Sequence, residues 1–114
     1  MNISEVNEGA VLAIAVTGRV DSTTARQLEE MLPERVQSAP RVLLDLTDVQ
    51  YVSSAGLRVM LKAAKMAKGT GHDLVLAGLA PQVHEVFHMI GFDSLFRIFP
   101  DRAAAMTALA GDNR

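Results

Sequence analysis

Three short apolar runs punctuate the chain, and each is followed by a stretch whose apolar residues return every three or four positions. These runs are Val11-Leu12-Ala13-Ile14-Ala15-Val16, Val42-Leu43-Leu44-Asp45-Leu46 and Leu74-Val75-Leu76-Ala77. They read as strands, and the second as one covered on both faces. After the first, Ala25, Leu28, Met31 and Leu32 mark one helix face, which Pro33 should end or kink. After the second, Leu57, Met60, Leu61 and Ala64 mark a helix over 54–68, stopped at Gly69-Thr70-Gly71. After the third, Pro81 opens a helix whose Val83, Val86, Phe87 and Ile90 should point inward, with Gly91 closing it. Residues 2–7 and 95–99 read as outer strands, the former in a hairpin turning at Glu8-Gly9. Pro100-Asp101 starts a last helix with Ala104, Met106, Ala108 and Leu109 as contacts, and the tail from Gly111 to Arg114 should fray.

A first hairpin followed by alternating strands and helices predicts an α/β fold: a mixed, mostly parallel central sheet of about five strands, with about four helices against it. The length of 114 residues fits one domain over residues 1–114. Aromatics are only 4%, so the core must be aliphatic. A net charge of -2 argues against nucleic acid as a partner. With no cysteine, thiolate metal sites and thiol chemistry are excluded. The opening Met-Asn-Ile-Ser-Glu lacks the basic and apolar regions of a signal peptide, and no apolar run approaches ~18 residues. The expectation is a cytoplasmic protein without a membrane partner.

The chemistry concentrates where the buried strand gives way to the central helix, at Tyr51-Val52-Ser53-Ser54-Ala55-Gly56-Leu57-Arg58. A helix start exposes unpaired N–H groups and the positive end of the dipole. A serine there can cap the helix, or carry a phosphate where an anion is tolerated. Asp21-Ser22-Thr23-Thr24 sits at a second such loop and offers caps for the first helix. Elsewhere, His84-Glu85-Val86-Phe87-His88 matches H-E-x-x-H, whose i, i+4 imidazoles can share one helix face around zinc. The third histidine of the longer pattern is replaced by Ser94, and the inward set of the same helix leaves His84, Glu85 and His88 facing outward. G-x-S-x-G fails because Val52 stands in place of the first glycine, and no Walker A pattern exists. These motifs therefore give no catalytic residue and no cofactor to expect.

Taken together, Gly18-Arg19-Val20-Asp21, the long stretch Leu44 to Leu57 and Gly91-Phe92-Asp93-Ser94-Leu95-Phe96 resemble the STAS domain of bacterial anti-sigma-factor antagonists, over nearly the whole chain. The resemblance implies a STAS-like fold and a non-enzymatic switch. It implies binding, in the unphosphorylated form, to an anti-sigma factor that is also a serine kinase of histidine-kinase-like ATPase fold. That binding frees a sigma factor or another regulator. Phosphorylation of one serine ends it, and a serine phosphatase resets the switch. Aligned on Gly56-Leu57, the acceptor is Ser54; Ser53, standing where many members carry aspartate, is the second choice. Asp21, Ser53, Ser54, Ala55, Gly56, Arg58 and Lys62 are the implied partner-binding residues, with Lys65 and Lys68 on the same helix. Two readings of other classes stand beside this one: a STAS subunit of a transporter or other complex without a phospho-switch, and a small zinc enzyme built on His84, Glu85 and His88.

Overall fold

The computed structural model describes residues 1–111. Strands β1 (Asn2–Glu8) and β2 (Val11–Val20) form the expected hairpin, with Gly9 at φ 62 in its turn. Then follow α1 (Ala25–Ser38), β3 (Arg41–Val52), α2 (Ser54–Thr70), β4 (Asp73–Ala77), α3 (Pro81–Met89), β5 (Arg97–Phe99) and α4 (Arg102–Gly111). The strands lie side by side in chain order, with β1 antiparallel to β2 and the remaining pairs parallel. Among the described residues no helix is long and apolar enough to cross a membrane.

The apolar runs are buried on both faces because each face has its own helices. Leu12, Ile14 and Val16 of β2 and Val42, Leu44 and Leu46 of β3 meet α1, α2 and α3 through Leu28, Leu32, Met60 and Phe87. On the other face Val11, Ala13, Leu43, Val75 and Ala77 meet Ala105 and Leu109 of α4. Successive strand residues thus enter opposite cores, as a period of two requires.

Several elements depart from the sequence reading. Pro33 does not end α1, which runs on to Ser38. Leu32 and Val36 are both fully buried one turn apart, and Pro33 is itself buried. That packing outweighs the roughly 3 kcal/mol that an interior proline costs a helix. β3 extends beyond residue 46 to Val52 because β2 extends with it: Gly18 pairs with Val49 and Val20 with Val52, across two slips in register. The central helix continues through Gly69 to Thr70, and Gly71 at φ 76 forms its left-handed cap. In α3 only Val83 and Phe87 point inward; Val86 and Ile90 are 40% and 49% exposed, because a nine-residue helix lying on the sheet buries one narrow stripe. The last strand contracts to Arg97–Phe99, since Phe92–Ser94 form a 3-10 turn and Phe96 tucks into the core. In α4 the buried pair is Ala105 and Leu109, with Ala104, Met106 and Ala108 at the margin. The expected fraying of residues 112–114 lies outside the described residues.

Candidate functional site

The site is built where the carboxyl ends of β2 and β3 meet the first turns of α1 and α2. Ser53 N–H donates to Val20 C=O at 2.7 Å, which ties the two strand ends together and sets Ser53 beside Asp21. Ser53 has extended backbone (φ -78, ψ 170) and is the N-cap of α2. Its hydroxyl accepts from Gly56 N–H at 3.2 Å, and its carbonyl accepts from Leu57 N–H at 2.9 Å. Capping by Ser53 leaves Ser54 as the first helical residue, exposed, and its hydroxyl has no hydrogen bond among the described residues. The two serines therefore have different surroundings: one is engaged with the backbone, the other faces solvent.

Gly56 is buried, so it positions the site instead of touching a partner with a side chain. A Cβ at that position would lie 2.7 Å from Val20 Cγ1 and 3.0 Å from Val52 Cγ1. The helix start rests directly on the two valines that end β2 and β3.

Asp21 is a turn cap. Its Oδ1 accepts from the N–H groups of Thr23 and Thr24 at 3.0 and 2.9 Å. Thr24 Oγ1 reaches back to Arg19 C=O at 2.7 Å and accepts from Asp21 N–H at 2.9 Å. The Thr24 N–H, followed by the Thr24 hydroxyl, holds the Asp21 carboxyl below its ordinary value. Asp21 is half-buried, close enough to Ser53 to share a surface with it.

Next to Ser54, starting at Ala55, an open groove of about 630 Å³ runs between α1 and α2; Ser53, Ser54 and Asp21 do not line it. Ala55, Arg58, Lys62 and Lys65 line it from α2, while Arg26 and Glu29 line it from α1. Lys62 Nζ stands 4.0 Å from Glu29 Oε2, an exposed pair of the kind that contributes little to stability. The groove thus gathers Ala55, Arg58 and Lys62, but adds Arg26 and Glu29, which reading α1 for its caps and apolar face alone overlooks. The signal was present: Arg26 and Glu29 flank the buried Ala25 and Leu28, on the flank that a neighbouring helix would cover. Also missed is Arg19, whose guanidinium lies 4.3 Å from the Tyr51 ring centroid beside the strand ends.

His84, Glu85 and His88 all lie on the exposed side of α3. His88 Nδ1 is 2.6 Å from Asp93 Oδ2, and among the described residues no three His, Cys, Asp or Glu side chains are placed to hold a metal. The hydrogen bond to Asp93, then its charge, raises the His88 pKa, and the same hydrogen bond lowers that of Asp93. The pair's contribution is therefore present below the unfolded histidine value of about 6.5 and is lost as pH rises through the higher folded value. At the acid end it fades as Asp93 protonates. In an NMR titration His88 is expected to titrate above the ordinary histidine value, and Asp93→Asn should return it there. An unshifted His88 in the unaltered protein would show that the contact does not persist in solution.

A family model described as STAS domain matches residues 3–105. BtrV of Bordetella bronchiseptica, provisionally described as an anti-sigma factor antagonist, is 43% identical over 99 residues, covering 86% of this chain and 85% of its own. The structure of an anti-sigma factor antagonist from Mycobacterium paratuberculosis matches with a TM-score of 0.86 at 25% identity, over 94% of this chain and 92% of that one. The Bacillus protein SpoIIAA, an anti-sigma factor antagonist solved in unphosphorylated and phosphorylated forms, matches in both at a TM-score of 0.75 and 14% identity, which shows a common fold. The two forms cover 96% and 95% of this chain and 99% of their own.

Proposed function

The chain belongs to the STAS domain family, and from that premise we propose that it is an anti-sigma-factor antagonist switched by phosphorylation of Ser54. In its unmodified form it binds an anti-sigma factor that doubles as a serine kinase of histidine-kinase-like ATPase fold, and so releases a sigma factor or another regulator. It is a cytoplasmic regulator, and the ATP chemistry belongs to the partner. In the modifying step Ser54 Oγ bonds to the γ-phosphorus of ATP as the bond to the β–γ bridging oxygen breaks. ADP leaves and the hydroxyl proton passes to a base of the kinase. A phosphatase reverses the modification with water, releasing inorganic phosphate.

The observation that carries this reading is the division between the two serines. Ser53 spends its hydroxyl acceptor on Gly56 N–H, whereas the neighbouring Ser54 hydroxyl is exposed at the first helical position. The names of the relatives support the partner class, and the junction with Asp21, Ala55, Arg58 and Lys62 supplies the docking surface. Phosphorylation adds about -1.5 to -2 charges. On the free protein that charge is solvated and faces the positive end of α2. Under a bound partner it must be desolvated, and each ~1.4 kcal/mol of that difference weakens binding tenfold.

Calorimetric titration with the cognate kinase, together with phosphosite mapping, tests the proposal. Ser54→Ala is expected to bind as the unmodified protein does and to take up no phosphate. Ser54→Glu should bind at least about tenfold more weakly, a loss of ~1.4 kcal/mol. Phosphate on Ser53, or undiminished uptake by Ser54→Ala, would overturn the assignment.

A further inference from the structure

The groove that starts next to Ser54 holds three cations that form no ion pair among the described residues, Arg26, Arg58 and Lys65. Arg26 on α1 and Arg58 on α2 line the same space, and among the described residues neither forms an ion pair or hydrogen bond. The nearby carboxylates have other partners: Glu29 stands 4.0 Å from Lys62 Nζ within the same groove, and Asp21 accepts from Thr23 and Thr24. In a chain of net charge -2, this leaves a local excess of positive charge next to the candidate acceptor.

Helix geometry couples one of these cations to Ser54. Arg58 is four residues on, so the two Cβ atoms are about 5–6 Å apart on one face. Helical side chains lean towards the N-terminus, so the arm of Arg58 is directed back over the turn that carries Ser54. Lys62 starts a further turn away, about 12 Å along the axis from Ser54. Guanidinium also matches phosphate better than ammonium does, because its planar fork can donate two parallel hydrogen bonds.

We infer that once Ser54 carries a phosphoryl group, Arg58 of the same helix closes onto it, with Arg26 across the groove from Arg58, so that the modified chain holds its own phosphate. This rests on Ser54 being the acceptor. It adds a second arm to the switch: modification supplies negative charge and at the same moment withdraws Arg58 from the surface a partner would meet. The free, phosphorylated form is the one stabilised, since only there can the arm fold back unobstructed.

The test installs phosphoserine at position 54 during translation, so it needs no kinase. A wrong choice of partner would leave its result intact. The phosphate is then titrated by phosphorus NMR, with the fold checked from amide spectra. The charged groups around it are Arg26, Arg58, Lys62, Lys65, Asp21 and Glu29, and all but Arg58 are constant across the variants. Its second pKa, about 6 when free, is expected to rise by a few tenths of a unit in Arg58→Gln relative to the unaltered sequence. Arg58→Lys should fall between, keeping the charge and losing the fork. The difference should shrink at about 1 M salt, where the Debye length is about 3 Å. Equal values in the unaltered sequence and Arg58→Gln would overturn the inference, as would an Arg58→Gln value below that of the unaltered sequence.

Discussion

Truncating Phe87 to alanine is expected to cost about 3–5 kcal/mol of stability, the range for removing a buried aromatic ring. Phe87 is fully buried and is the hub of an aromatic cluster. Its ring meets Phe92 edge-on at 5.8 Å and Phe96 at 6.1 Å, and those two lie 5.9 Å apart. The chain has four Phe and no Trp, so three of its largest apolar side chains converge at this one corner. The loss also propagates, because α3 buries only Val83 and Phe87 against the sheet. Without the ring, the helix keeps a single anchor, and the turn through Phe92 and Phe96 loses the surface it packs on. Urea denaturation of the two proteins measures the difference directly. Phe87→Leu, which keeps most of the volume, should cost less than half as much. A loss below about 1 kcal/mol for Phe87→Ala would mean that the corner collapses to fill the cavity.

The same corner shows where sequence patterning stops being informative. Val83, Val86, Phe87 and Ile90 satisfy a helical stripe equally well, yet only two of the four are buried. How wide a stripe a helix buries depends on the surface it meets, and that surface is not encoded in the helix. The central strands were legible because burial on both faces leaves a continuous apolar run, as in Val42-Leu43-Leu44. The second half of β3 was not, because Thr47, Asp48, Gln50 and Tyr51 are exposed where the strand runs past β4. Its existence depends on β2 extending to match it, a non-local fact. That Pro33 does not end α1 has a related reason: local preference is set against tertiary burial of Leu32 and Val36, and burial wins. At the candidate site, the serines and the cations of α2 could be read from one stretch of chain, and Asp21 from the loop after the first apolar run. Arg26 could not, since it joins them only when α1 packs beside α2.

Replacing Gly56 by alanine is expected to destabilise the protein by about 1–3 kcal/mol, although helix propensity alone predicts the opposite sign. Inside a helix alanine is favoured over glycine by about 1 kcal/mol. At Gly56, however, the added methyl would lie 2.7 Å from Val20 Cγ1 and 3.0 Å from Val52 Cγ1. Val20 is fully buried and β-branched, so it has no free rotamer into which to retreat. Overpacking of this kind typically costs about 1–3 kcal/mol. Relief would come by lifting the first turn of α2 off the strand ends, which would lengthen the Ser53–Val20 hydrogen bond and move Ser54. Gly69→Ala is the matched control, in the same helix, with nothing within 4 Å of its added Cβ. It should stabilise by up to about 1 kcal/mol. Denaturant titration of the two variants therefore tests packing against propensity within one helix. Val20→Ala in the Gly56→Ala background should recover part of the loss, a non-additivity expected only of residues in contact. If instead Gly56→Ala matches Gly69→Ala in sign and size, the close approach of α2 to Val20 and Val52 does not hold in solution, and the position of Ser54 must be fixed by the Ser53 cap alone.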